Sequence, residues 1–297
     1  MLQKRESDVV KKYFMLNKFF NYFEGECSPF PLAIFRIALY LGIGIHFFPS
    51  ILWFQENYST KTYRSMQWNE TLYNLLPELP VWVVGYIAAL VILGCLAGFL
   101  GYRPRLSAAL TGLSTYILAS FNSFNLQTLA LGCVWGILLV WAIFGGGDEV
   151  LSIKAGFKTN NSSGKRLCRA ILFIQLMIVV IFSGLEKIFT GWPGTNEMHT
   201  LLSYPQGFIV RDWVAYAEWS KFIWVGWIFT ILTLCFELIL PFTLVFQRTK
   251  MISLILWQIF FLGIVAMLEV PPLFYFIFAF GAFLVLPSRN KISDLNS

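Results

Sequence analysis

The chain has 297 residues, of which 57% are hydrophobic and only 13% are charged. An ordinary soluble domain is about 45–50% apolar and about 25% charged, so this balance excludes a disordered chain and argues against a soluble globule. Phe, Tyr and Trp make up 18% of the residues, and the mean hydropathy is +0.67. The composition therefore predicts a multi-pass membrane protein.

Eight apolar stretches have the length of a membrane-spanning helix, which needs about 20 residues to cross a hydrocarbon core of about 30 Å. They cover residues 31–54, 81–100, 106–121, 126–144, 169–189, 222–246, 251–268 and 271–287. None alternates apolar and polar residues as the strands of a membrane barrel do. The sequence therefore predicts an all-α fold, a polytopic transmembrane helical bundle of about eight spans.

Basic residues indicate how these helices are oriented, because Lys and Arg accumulate in the cytoplasmic loops of membrane proteins. With the N-terminus inside, 16 of the 22 Lys and Arg residues fall in inner segments and four fall in outer segments. The other two, Arg36 and Lys187, lie within spans. This asymmetry predicts that both termini are cytoplasmic. It also makes the net charge of +6 a sign of topology, so no nucleic-acid partner is expected.

The segments outside the spans differ in character. Residues 1–30 carry apolar residues at roughly helical spacing among lysines, which predicts a cytoplasmic amphipathic segment on the inner leaflet or against the bundle. The predicted organisation continues with a transmembrane domain at 31–287, outer loops at 55–80 and 190–221, an inner loop at 145–168 and a cytoplasmic tail at 288–297.

The two outer loops are rich in Trp and Tyr, which favour the interface between membrane and water. This composition predicts an aromatic cap over the outer side of the bundle. Trp192, Trp213 and Trp219 of the second loop are candidate partner-binding residues.

Ionisable residues inside the spans are candidate functional residues, because a charge within a bilayer is costly unless it is paired or solvated. Arg36 lies about 8 Å and Glu237 about 14 Å from the inner ends of their spans, at 1.5 Å per residue. We expect these two to form a structural ion pair. His46 lies about 12 Å from the outer end of its span, and Glu186 and Lys187 lie within about 5 Å of the outer end of theirs. These three would form an outer-half polar cluster.

Lys187, Glu186 and His46 are the candidate catalytic residues. A lysine enclosed by apolar helices can act as a general base. The alternatives are that Lys187 extends to the outer interface without a further role, and that His46 is a packing residue. No metal site is expected, because the chain holds only two histidines and no Cys-x-x-Cys spacing.

Several short motifs occur along the chain in the order typical of one membrane-protein family. They are Phe35-Arg36, Gly101-Tyr-Arg-Pro-Arg-Leu-Ser107, Ser183-Gly-Leu-Glu-Lys187 with Trp192 and Gly194, and Phe236-Glu-Leu-Ile-Leu-Pro241. In these features the chain resembles the HTTM (horizontally transferred transmembrane) proteins, which are related to the membrane domain of vitamin K-dependent gamma-glutamyl carboxylase. The resemblance covers roughly residues 31–287.

The resemblance implies a role for one residue. In the carboxylase, the lysine of the corresponding segment is the base that deprotonates the reduced quinone, and Lys187 matches it by position. Histidines that relatives carry are replaced here by the Asn122–Asn125 segment and by Gln258, and the chain ends close to its last span. Gamma-carboxylation is therefore not expected. The chain looks more like stand-alone bacterial members, some of which help to mature secreted peptides, so the plasma membrane of a bacterium is the predicted location.

Two functional hypotheses remain open at this stage. The first is an enzyme-like bundle with an outer-facing cavity for an isoprenoid quinone or another lipid-soluble molecule, with Lys187 as base and His46 or Glu186 assisting. The second is a scaffold or maturation factor that binds a secreted peptide or another membrane protein. A transporter would show inverted repeats and broken helices near the midplane, and it ranks last.

Overall fold

The protein was analysed as a computed structural model. It describes residues 26–53, 80–121, 129–153, 155, 164–203, 222–246, 248–267 and 272–285. The predicted amphipathic segment before Glu26, most of the first outer loop and the tail lie outside these residues.

The described residues are almost entirely helical, which confirms the predicted all-α class. The helices are α1 (Phe30–Leu52), α2 (Val81–Phe99), α3 (Pro104–Ser120), α4 (Leu129–Phe144), α5 (Arg166–Phe189), α6 (Glu197–Ser203), α7 (Ile223–Leu238), α8 (Leu240–Thr243), α9 (Lys250–Met267) and α10 (Pro272–Gly281), with 3-10 turns at Trp192–Gly194 and Ala282–Val285. Each of the eight predicted stretches overlaps one of the helices of ten or more residues. The described residues also include turns and an antiparallel pairing of β1 (Glu26–Cys27) with β2 (Gly164–Lys165).

Proline and glycine set several helix boundaries. The span predicted at 222–246 is divided into α7 and α8, and Pro241 lies in the first turn of α8. Proline lacks a backbone N–H and cannot continue the hydrogen-bond ladder of α7. Between α2 and α3 the chain reverses through Gly101 and Arg103, which have φ values of +70° and +44°. Glycine adopts this left-handed conformation readily, so the motif beginning at Gly101 forms a tight turn.

One side of the molecule is built around α1. Helix α1 packs against α2 and α10, α2 packs against α3, and α3 packs against α4. A side chain at Gly42 would meet the Cβ of Phe276 at 2.7 Å, so this glycine lets α1 and α10 approach closely. Phe35 stacks on Trp141 of α4, with ring centroids 5.9 Å apart. Both rings are fully buried, and they form the centre of this side.

The other side is built around α7, which packs against two successive helices of the chain. Helix α5 contacts the C-terminal end of α7, and α6 contacts the N-terminal part of α7. The sequence predicts a loop throughout 190–221, so the presence of α6 within it is a correction. Met198 of α6 is buried against Trp192, Val225 and Phe229, and this apolar contact explains why the short helix forms against α7.

Three helices in the described part of the chain are long and apolar enough to cross a membrane: Phe30–Leu52, Val81–Phe99 and Leu167–Phe189. Four shorter apolar helices are Leu131–Phe144, Ile223–Leu238, Lys250–Ala266 and Leu273–Val285. Many large apolar side chains on these helices are exposed, among them Trp82, Leu93, Phe182, Ile231 and Ile255. Such a surface is expected to face lipid rather than water.

Candidate functional site

The clearest polar centre joins α5 and α7. The Nζ atom of Lys187 lies 2.7 Å from both carboxylate oxygens of Glu237 and donates to each of them. It also donates to the hydroxyl oxygen of Ser183 at 2.8 Å. The Ser183 hydroxyl in turn donates to Oε1 of Glu237 at 3.3 Å. The three side chains form a closed ring of hydrogen bonds.

The helix geometry explains how this ring forms. Ser183 and Lys187 are four residues apart on α5, and side chains at that spacing lie on one face of a helix. Gly184 lies between them, and a side chain there would meet Glu237 Cβ at 3.0 Å and Leu238 Cδ2 at 2.9 Å. Because glycine has no side chain, α5 can approach α7 closely enough for the ion pair to form.

An aromatic ring also faces the ammonium group. Nζ of Lys187 lies 5.4 Å from the centroid of the Trp192 ring, within the range of a cation–π interaction. Trp192 begins the 3-10 turn that follows α5. The side chain of Lys187 is 17% exposed and that of Glu237 is 8% exposed. The pair is therefore largely enclosed, but it is not sealed inside the protein.

The other members of the predicted outer cluster lie elsewhere. Glu186 is exposed, because successive residues on a helix diverge by about 100° and Lys187 takes the inward position. His46 packs edge-on against the ring of Phe47, with centroids 5.0 Å apart. Its Nε2 atom is buried and has no hydrogen-bond partner among the described residues. The three candidate catalytic residues are therefore not brought together.

The predicted ion pair between Arg36 and Glu237 is not formed, because Glu237 pairs with Lys187. Arg36 is fully buried and donates from one terminal nitrogen to the carbonyl oxygen of Leu151 in the inner loop. Its Nε and its other terminal nitrogen have no partner among the described residues. The predicted pair does not form because the two residues lie on helices with different neighbours: α1 packs against α2 and α10, whereas α7 packs against α5.

Arg36 belongs instead to a structural junction beneath α1. Asp148 and Glu149 of the inner loop interact electrostatically with its guanidinium group. A side chain at Gly101 would collide with that group, so the turn between α2 and α3 closes over it. The backbone N–H of Ile153 donates to the carbonyl oxygen of Leu100 at 3.0 Å, which ties the same loop to the end of α2.

The remaining predicted site residues can be placed only in part. Of the candidate partner-binding residues, Trp192 contacts Lys187, whereas Trp213 and Trp219 lie outside the described residues. The involvement of Ser183, and the pairing of Lys187 with Glu237, were not predicted. The spacing of Ser183 and Lys187 on one helix face was the available signal for the first. Within the described ranges, no group of three or more His, Cys, Asp or Glu residues could hold a metal ion.

A groove of about 500 Å³ lies between α1 and α2, away from the ion pair. Its walls are Tyr40, Leu41, Gly44, Ile45, Phe47, Phe48, Ile51, Val91, Ile92, Cys95, Leu96 and Phe99. They offer almost no polar surface, since the Tyr40 hydroxyl lies 3.4 Å from Ser107 Oγ inside the bundle. The ion pair and this apolar groove therefore lie on different pairs of helices.

Comparisons with known proteins do not identify the chain: no protein family, curated protein or solved structure matches it. The resemblance to the HTTM proteins therefore stays a prediction made from the motifs, and the site is interpreted from its own geometry.

Proposed function

We propose that the chain is a multi-pass protein of a bacterial plasma membrane, with about eight spans and both termini in the cytoplasm. Its Lys187–Glu237 pair would be the polar centre of a site for an isoprenoid quinol or a similar lipid-soluble molecule. The observation that carries this proposal is the pair itself, a partly accessible ammonium and carboxylate held together between apolar helices. An ionisable group inside a membrane span is by default a candidate functional residue.

In this proposal Lys187 is the base. The pair carries the same protons whether it is an ammonium with a carboxylate or an amine with a carboxylic acid. In the second form the amine nitrogen would accept the hydroxyl proton of a bound quinol, so that an O–H bond breaks and an N–H bond forms. The resulting ammonium would be stabilised by the quinolate and by the Trp192 ring, and Ser183 would keep the amine oriented.

The predicted helpers of Lys187 have a smaller part in this proposal. His46 has no contact with the pair among the described residues, and Glu186 points away from it. The likeness to HTTM motifs supports a quinol as the ligand, but it does not extend to gamma-carboxylation. We therefore propose proton abstraction from a lipid-soluble molecule, without a carboxylation step.

The experiment that tests this proposal is a binding measurement on the purified full chain in lipid nanodiscs. The probe is a reduced menaquinone analogue with a short isoprenoid tail, and the bound amount is measured by mass spectrometry after gel filtration. We expect Lys187→Ala to retain at least tenfold less probe than the unaltered protein. The matched control is Lys250→Ala, which removes a half-buried lysine that donates to the Val285 carbonyl. Equal retention by both variants would contradict the proposal.

A second substitution separates binding from base chemistry. Lys187→Arg keeps a positive charge beside Glu237, but arginine remains protonated and cannot accept a proton. The account predicts that Lys187→Arg binds the probe but fails to complement a strain that lacks the gene. Full complementation by Lys187→Arg would remove Lys187 from the role of base.

A scaffold or maturation factor is the second candidate, and one observation favours it. The hydrogen bonds of Ser183, Lys187 and Glu237 are satisfied within their own ring, as expected of a structural tie between two helices. Under this alternative the outer aromatic residues would bind a secreted peptide or a membrane subunit. Trp213→Ala and Trp219→Ala should then abolish capture of that partner, while Lys187→Arg should leave capture intact.

A further inference from the structure

We infer that the Lys187–Glu237 pair lies near mid-depth in the membrane and is reached from the outer side through a water-filled vestibule. The wall of this vestibule, here called the outer wall, is the segment from Trp192 to Thr200. This inference rests on the multi-pass arrangement proposed above, and it deepens that proposal by giving the site an aqueous route for protons and small hydrophilic solutes.

Helices α5 and α6 touch different parts of α7. A side chain at Gly226 would meet backbone and Cβ atoms of His199 at 2.7–2.9 Å, so α6 lies directly against this part of α7. Glu237 is eleven residues further along and contacts α5 through Lys187. Eleven residues correspond to about 16 Å along a helix. Helix α5 therefore reaches only the C-terminal part of α7. The outer wall lies beside the N-terminal part of α7.

The surface of α7 indicates where this helix lies in the bilayer. The N-terminal part of α7 contains no charged residue among the described residues. Its exposed large apolar side chains are Ile223, Trp224, Trp227, Ile228, Ile231 and Leu232. A stripe of this size is expected to face lipid rather than water. Helix α7 is therefore embedded from about Ile223 onward. Glu237 lies fourteen residues further on, which is about 21 Å of helix in a membrane of about 40–45 Å including headgroups.

The opposite end of the molecule gives a consistent depth. Arg169 of α5 donates to the carbonyl oxygen of Leu284, and Lys250 of α9 donates to that of Val285. Both contacts lie at the end of the bundle where α5 begins. Lys187 is eighteen residues beyond Arg169 on α5, which is about 27 Å of helix. The pair therefore lies at the outer end of α5, between the end of the bundle where α5 begins and the N-terminal end of α7.

The outer wall carries exposed polar residues. After α5 ends, the chain turns at Gly191, whose φ is +80°, and continues through a 3-10 turn into α6. Four polar residues here are exposed: Thr195, Asn196, Glu197 and Thr200. At membrane depth, irregular backbone and a carboxylate are tolerated only where protein buries them or water reaches them. Since these side chains are exposed, we assign water to this side of the wall.

The vestibule would give the proposed chemistry a route by which the proton leaves Lys187. A proton that Lys187 takes from a lipid-soluble molecule has to leave the apolar interior before the site can react again. The outer wall begins at Trp192, which contacts Lys187. Its exposed polar residues follow Trp192 in the chain. Water along this wall would let the proton reach the outer aqueous phase.

Thiol accessibility tests this inference. Single cysteines replace Asn196 or Thr200 on the outer wall, in a Cys235→Ala background because Cys235 is exposed on α7. The matched controls are Ile228→Cys and Ile231→Cys, which face lipid at similar positions along α7. Right-side-out vesicles are treated with a membrane-impermeant sulfonated maleimide, and total thiol is measured after denaturation. We expect both wall positions to react at least tenfold faster than both controls.

Two results would overturn the inference. If the wall positions react as slowly as the controls, the wall faces lipid or protein and no vestibule exists. If the controls react as fast as the wall, the outer part of α7 stands in water and the pair is not at mid-depth. Either result would leave loss of quinol binding in Lys187→Ala unaffected, so failure of the vestibule is distinguishable from failure of the proposed function.

Discussion

Two buried cations of this protein are stabilised in different ways. Lys187 is paired with Glu237, hydrogen-bonded to Ser183, faced by Trp192 and still 17% exposed. Arg36 is fully buried, donates to one backbone carbonyl and leaves two nitrogens without partners in the described structure. The comparison shows two ways of holding a cation among apolar helices: a backbone carbonyl with nearby carboxylates, or a direct ion pair. Arg36 joins the inner loop to the bundle, whereas Lys187 joins α5 to α7 and stays partly exposed.

The largest expected effect comes from the structural cation. Arg36→Ala would leave a cavity under α1 and remove the donor to Leu151, at a cost of about 4 kcal/mol in the free energy of unfolding. Arg36→Met would refill much of the volume and recover part of this loss. Thermal unfolding in detergent measures both, with Leu41→Ala on the exposed face of α1 as control. A loss in Arg36→Ala no larger than that of the control would show that Arg36 is not a structural junction.

The next effect breaks the paired cation. Glu237→Ala would leave the Lys187 ammonium without its carboxylate in an apolar setting, and losing one partner of a buried pair costs about 3–5 kcal/mol. We expect a value near the lower limit, because Lys187 is partly exposed. The control is Glu197→Ala, which removes an exposed carboxylate, and chemical denaturation of the two variants gives the comparison. If both variants unfold alike, the pair does not stabilise the fold.

A third substitution alters the distance between the two helices without changing their charge. Gly184→Ala would place a methyl group about 3 Å from Glu237 and Leu238, and overpacking of this kind costs about 1–3 kcal/mol. Gly263→Ala is the matched control, because an added Cβ there meets nothing within 4 Å. Since alanine favours helix over glycine, we expect this control to be neutral or slightly stabilising. Equal unfolding temperatures for the two variants would argue against close packing at Gly184.

The smallest effect concerns the aromatic ring. Trp192→Leu keeps an apolar side chain against Met198 but removes the cation–π contact with Lys187, which contributes about 1 kcal/mol. We expect Trp192→Phe, which keeps a ring, to lose less. The measurement is the unfolding temperature of each variant in the same nanodiscs. Identical values for Leu and Phe would mean that the ring does not stabilise the ammonium.

The sequence predicted the helices better than their neighbours. Hydropathy locates helices because each one must supply about 20 apolar residues, and the division of 222–246 at Pro241 follows from proline chemistry. Pattern and length give depth along a helix, but they do not say which helices touch. Matching depths therefore paired Arg36 with Glu237, although their helices have different main neighbours.

The site itself was predicted only in part. Lys187 was recognised from its charge and its motif, but its partner was missed because depth along each span placed Lys187 in the outer half and Glu237 in the inner half. The structure instead ends α5 beside Glu237 and lets α6 continue along α7. The role of Gly184 could not be predicted either, because the close approach that it permits exists only after the two helices have packed.

The most direct test of the central claim, that Lys187 and Glu237 act as one unit, is a double-mutant cycle on the free energy of unfolding in nanodiscs. Lys187→Ala, Glu237→Ala and the double variant are compared with the unaltered chain. The account predicts that the double variant is less destabilised than the sum of the single variants by about 1–3 kcal/mol, as expected for residues in direct contact. Costs that add to within about 0.5 kcal/mol, as they do for independent sites, would contradict it.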